Sequence, residues 1–141
     1  MKPVVKNILA VIVGIIVGSI VNIVLVTIGP FIINLPDGAD VSTPEKLKES
    51  MPLFSAKHFI FPFLGHAVGT LVGAFITAKM AASRPMIFAL GIGIWFLLGG
   101  LYMVVSVGGP LWFQVLDLLV AYLPMGYLGG CLASKKPRAS A

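Results

Sequence analysis

Charge is scarce in this chain: 11% of its 141 residues are Asp, Glu, Lys or Arg, against roughly 25% in an ordinary soluble domain. Too few polar residues remain to clothe a water-facing surface, which excludes an ordinary soluble enzyme. A disordered chain is excluded as well, because disorder needs high charge and low hydrophobicity. Cysteine is almost missing. Cys131 stands alone, so no disulfide or cysteine cluster forms within one chain, and its place in an apolar run suits a small hydrophobe. The net charge of +5 and pI near 9.6 do not point to nucleic acid. The positive residues sit at the ends of apolar runs rather than in a patch interleaved with aromatics.

What is present is hydrophobicity in long blocks: 58% of residues are apolar and the mean hydropathy is +1.03. A helix needs roughly 20 apolar residues to cross the hydrocarbon core. Four runs meet that length, at 8–28, 59–78, 86–107 and 111–132. The expected fold is therefore all-α, a single integral membrane domain over 1–141 made of four transmembrane helices with short connections. Gly29-Pro30 is expected to end the first run, which is too long for the 7–15 residue core of a signal peptide and is read as a retained span. The second and fourth runs contain Pro62 and Pro124, both expected to bend their helices. Ser19 to Pro30 laid on Gly99 to Pro110 pairs small residues with small and Gly-Pro with Gly-Pro, a short internal likeness between two hairpins.

Orientation follows from the basic residues. Lys2, Lys6, Lys79, Arg84, Lys135, Lys136 and Arg138 fall on one side of a four-span plan, whereas Lys46, Lys48 and Lys57 fall on the other among four acids. That bias places both termini in the cytoplasm, as expected for a multi-pass protein of a bacterial inner (plasma) membrane. The one sizeable connection, 34–57, lies outside and carries a helix signal near 43–51. Thr43 offers a hydroxyl cap, Pro44 a first helical residue and Glu45 an early acid.

Spans in lipid associate through small residues that let backbones approach. Gly14 and Gly18 form such a stripe on the first span, Gly65, Gly69 and Gly73 on the second, and Gly126 with Gly130 on the fourth. Polar residues share these faces. At 1.5 Å per residue, Asn22 lies about 21 Å from the inner edge, His66 about 10 Å and Asp117 about 9 Å from the outer edge. Tyr102 falls near the same level, and Gln114 shares the Asp117 face. These five form a candidate polar cluster in the outer third, with Asp117 accepting from His66, Asn22 or Gln114.

Ionisable groups inside a span are costly and call for a role. In span number and size the chain resembles the small multidrug resistance transporters, whose first span carries a glutamate; here that span offers only Gly14, Gly18, Ser19 and Asn22. Two functions fit the residues. One is an accessory, assembly-type or self-associating membrane subunit, partnered by a larger membrane protein or by copies of itself in the lipid bilayer. The other is an oligomeric small transporter or channel, in which Asp117 and His66 pass a proton, cation or polar solute. No catalytic constellation, metal set or cofactor motif is found, and no nucleic-acid partner is expected.

Overall fold

Unbroken stretches of Ile, Val and Leu contain nothing polar to compete for backbone hydrogen bonds, and in hydrocarbon a helix satisfies them all within one segment. The computed structural model describes residues 1–134, so Lys135, Lys136 and Arg138 lie outside the described residues. The described residues are helical and contain no strand. The helices are α1 (Pro3–Ile32), α2 (Pro44–Ser50), α3 (Ile60–Met80), α4 (Pro85–Ser106), α5 (Leu111–Val120) and α6 (Leu123–Ser134). Four segments are long and apolar enough to span a membrane: Pro3–Ile32, Ala56–Met80, Pro85–Ser106 and Leu111–Ser134. This is a multi-pass membrane bundle.

Two boundaries differ from the sequence reading. Helix α1 runs through Gly29-Pro30 to Ile32, and Ile33 N–H closes the end on the Gly29 carbonyl at 2.8 Å. Proline's fixed φ suits a helix; its cost is one missing donor and crowding of the previous turn, and here only a few residues follow it. The matching Gly109-Pro110 does the opposite. Gly108 and Gly109 adopt φ of 83° and 123°, a left-handed turn that ends α4, so the two Gly-Pro pairs of the internal likeness differ in local structure. The fourth span is broken into α5 and α6 at Ala121 and Tyr122. Pro124 has no N–H for the Val120 carbonyl, and its ring crowds that carbonyl. Pro62 falls instead in the first turn of α3, where proline is tolerated.

Helix α3 is the hub, touching α1, α4 and α6. Its small residues explain this, since Gly65, Ala67, Gly69, Thr70, Gly73, Ala74, Thr77 and Ala78 are all buried. Against α1 the contact is backbone to backbone. A Cβ on Gly69 would lie 2.7 Å from the Gly18 carbonyl, and one on Gly18 would lie 2.7 Å from the Gly69 carbonyl. Gly14 meets Gly73 and Thr77 one turn further along. On another side of α3, Gly129 of α6 seats against the Leu71 carbonyl, while Gly126 and Gly130 face Ala89, Gly93 and Met86 of α4. Asn7 ties the start of α1 to the α3–α4 turn: its Oδ1 accepts from Ala82 N–H at 2.7 Å and its amide donates to Ser83 at 3.1 Å.

The connection 33–59 folds over the opposite end of the bundle. Thr43 caps α2 by accepting from Lys46 N–H at 3.3 Å, and Pro52 lies in the 3-10 turn Met51–Leu53 that follows it. Asp40 pairs with Lys46 at 2.7 Å and accepts from Ser42 N–H. Those contacts, Lys46 first, hold its carboxyl well below the usual carboxylate range.

The α1–α3 seam predicts an asymmetry among glycines. Gly69→Ala drives a methyl into a carbonyl that cannot yield and is expected to cost about 1–3 kcal/mol. Gly91→Ala, which meets nothing within 4 Å, is expected to be neutral or to gain about 0.5–1 kcal/mol of helix propensity. Thermal unfolding of both variants in one detergent checks the contrast.

Candidate functional site

Gly65 and His66 are neighbours on α3 but point about 100° apart around its axis. Gly65 faces α1 and His66 faces α5, so the packing seam and the polar site occupy adjacent faces of one helix. His66 Nδ1 lies 2.9 and 3.0 Å from the two carboxylate oxygens of Asp117. A carboxylate only accepts, so the ring proton sits on Nδ1. Tyr122 donates its hydroxyl to Asp117 Oδ2 at 2.8 Å, and its ring lies over His66 with centroids 5.8 Å apart. Both Asp117 and Tyr122 are buried. An unpaired carboxylate here would cost several kcal/mol; each Asp117 oxygen has a donor instead.

Local breaks in the helices position this triad. Ala121 N–H closes α5 on the Asp117 carbonyl at 2.9 Å, and Gly126 N–H reaches back to the Tyr122 carbonyl at 2.8 Å. Tyr122 thus sits between two helices, five residues from Asp117. Gly100 of α4 leaves the space for its ring: a Cβ there would lie 2.6 Å from Tyr122 Cζ. His66 is further tied to its own helix, with Thr70 donating to its backbone carbonyl at 2.7 Å.

His66 and Asp117, backed by Tyr122, form the floor of a cavity of about 150 Å³ that lies beneath the connection. Val26, Pro62, Met103, Val104 and Phe113 wall it, and Leu47, Met51, Phe54 and His58 roof it. Farther down the bundle the interior is filled by Thr70, Ala74, Thr77, Ala89 and Ile92, all fully buried. The His66 side chain is 20% exposed and its Nε2 has no partner among the described residues. With the ring neutral and its proton on Nδ1, Nε2 is a free acceptor on a residue that lines the cavity. His58, in the roof, has both nitrogens engaged, Nδ1 accepting from Ser55 N–H at 3.0 Å and Nε2 donating to the Asn34 carbonyl at 3.1 Å.

The other members of the expected cluster stand apart. Gln114 lines the cavity, but its amide donates to the Gly109 carbonyl at 2.8 Å rather than to Asp117. Tyr102 is 70% exposed on the outside of α4 and is not part of the cluster; its depth matches, its direction does not. Asn22 is level with His66 but lies on the α1 side of α3, against Gly65 and Gly69. Its Oδ1 is buried without a hydrogen bond. The residue that sequence reasoning missed is Tyr122. The signal was available in Pro124, which breaks the helix beside it, but a five-residue spacing from Asp117 is no helical face.

An unpaired buried acceptor carries a penalty of about 1–3 kcal/mol. Asn22→Ala removes it and is expected to leave the melting temperature unchanged or raised. A loss of about 2 kcal/mol or more, beyond what a missing contact explains, would mean that the amide is satisfied by water or by a partner.

No protein-family profile, curated protein or solved structure matches this chain, so its site is understood from its own geometry.

Proposed function

We propose that the protein is a small membrane transporter or channel in which His66, backed by Asp117 and Tyr122, is the group that takes up a proton or protic solute. One observation carries this reading: an Asp-paired histidine lines a cavity within a single chain, and its Nε2 has no partner among the described residues. Asp117 lies 2.9 Å from the ring, and histidine is the side chain whose ordinary titration range spans neutral pH. The distribution of lysine and arginine supports cytoplasmic termini, in a membrane of the bacterial inner type, with the connection over the outer face. The cavity would then fill from outside. Because the bundle below His66 is packed, passage requires α3 and α6 to part or a second copy to complete the path.

Asp117→Asn tests it. Asparagine preserves the size and can still accept from His66, but removes the charge. In proteoliposomes carrying an internal pH dye, the wild type is expected to dissipate a pH gradient and Asp117→Asn to lose that flux while keeping its melting temperature. Full flux in the variant would remove Asp117 and the paired histidine from the path.

A second reading has its own support. Ile8, Ile12, Ile16 and Ile20 form an exposed ridge on α1, and α1 packs chiefly on α3. A larger membrane protein or another copy could cover that ridge, making the chain an accessory or self-associating subunit. Native mass spectrometry of a mild-detergent extract is expected to show one such stoichiometric complex, and Ile16→Trp to dissociate it. A monomer in both preparations would dismiss this reading.

A further inference from the structure

The cavity above His66 does not end at its own walls. A second chamber of about 370 Å³ adjoins it, and both are lined by Val26, Leu47, Phe54, His58 and Pro62. The second chamber continues between the end of α1 and the connection, past Thr27, Pro30 and Ile33. Together they reach the size range of sites for small organic ligands, 300–1,000 Å³. The walls are almost wholly apolar and rich in Phe and Met, which suits a ring or chain rather than a hydrated solute.

Few polar atoms are free to meet a ligand in the first chamber, whereas the second is also lined by Thr27 and Lys57. His66 Nε2 is a lone pair when its Nδ1–H serves Asp117. Gln114 spends one amide N–H on the Gly109 carbonyl, which leaves its Oε1 and its second N–H. Nε2 and Oε1 are acceptors. His58 is fully engaged by Ser55 and Asn34. No lysine or arginine lines the first chamber, so a carboxylate or phosphate finds no fixed cation there; Lys57 lines only the second. An ammonium finds two acceptors for three donors in an apolar enclosure, a poor exchange for its hydration. A neutral hydroxyl needs one acceptor and finds it.

We infer that the first chamber is a binding site for an uncharged, membrane-soluble hydroxyl compound, a phenol or alcohol with an apolar body, whose O–H donates to His66 Nε2. The inference rests on the proposed role of His66 and makes the ligand and the proton rivals for one nitrogen. The titratable groups around that ring are Asp117 from α5, Tyr122 from the α5–α6 break and His58 from the connection; α1 and α4 contribute none to the first chamber.

Four probes of one ring size test it on the full chain in detergent, with ¹⁵N-labelled histidine: phenol, benzene, benzoate and benzylammonium. A cavity near 150 Å³ is about the size that holds one benzene ring. Phenol is expected to shift the His66 Nε2 resonance saturably, binding about ten-fold tighter than benzene, the worth of one hydrogen bond. The two ions are expected to leave it unmoved. Acidification that protonates Nε2 should expel phenol. Val104→Phe fills the first chamber without touching Asp117 or Tyr122; it should abolish phenol binding and leave the Nε2 titration in place. Preference for benzylammonium or benzoate, or unchanged phenol binding in Val104→Phe, overturns the inference. If Nε2 titrates but no ring binds, the hydroxyl site falls and the proton role survives. If Nε2 neither titrates nor responds, both fall.

Discussion

Lipid is as apolar as leucine, so nothing in hydrocarbon presses two leucine-faced helices together. The bundle depends instead on how closely other backbones can approach α3. Where Gly18 meets Gly69, the two main chains are near enough that no side chain fits between them. Dispersion contacts, each tiny, then add up along the seam. The same economy of volume recurs where Gly129 sits on the Leu71 carbonyl. With α1, α4 and α6 all packed on α3, His66 takes the sector that turns toward α5.

The site is a consequence of two interruptions. Pro124 divides the fourth span and frees Tyr122 from helical register, so that a phenol five residues from Asp117 can reach its carboxylate. Gly100 removes the side chain that would block that ring. The result is a carboxylate with a donor on each oxygen and a histidine with one nitrogen spoken for. Everything chemically available at the floor of the cavity is therefore concentrated in a single atom, His66 Nε2.

Depth was legible in the sequence, and direction was not. Counting residues from the ends of apolar runs puts Asn22, His66, Asp117 and Tyr102 at one level. Level is a coordinate along a helix, however, and contact also requires knowing which helices are neighbours around it. Asn22 and Tyr102 have the depth but face other sectors, whereas His66 and Asp117 share one. The connection was readable because Thr43, Pro44 and Glu45 act locally, through a cap, a fixed φ and a dipole. Gly29-Pro30 was not, because a proline that ends one helix passes through another when only a few residues remain after it. Tyr122 escaped because a break belongs to no period.

Helix α1 rests chiefly on one neighbour, and that neighbour comes later in the chain. Synthesis runs from the N-terminus at about 5–20 residues per second. For some seconds, then, the first span must reside in the bilayer before Gly69 and Gly73 emerge to receive Gly18 and Gly14. During that wait Asn22 and the glycine seam face lipid, while the span, the most apolar of the four, holds its place by hydrophobicity alone. The order of the segments thus makes the arrival of α3 a checkpoint: a chain truncated before residue 60 would leave a lone helix, firmly in the membrane but with its glycine seam open.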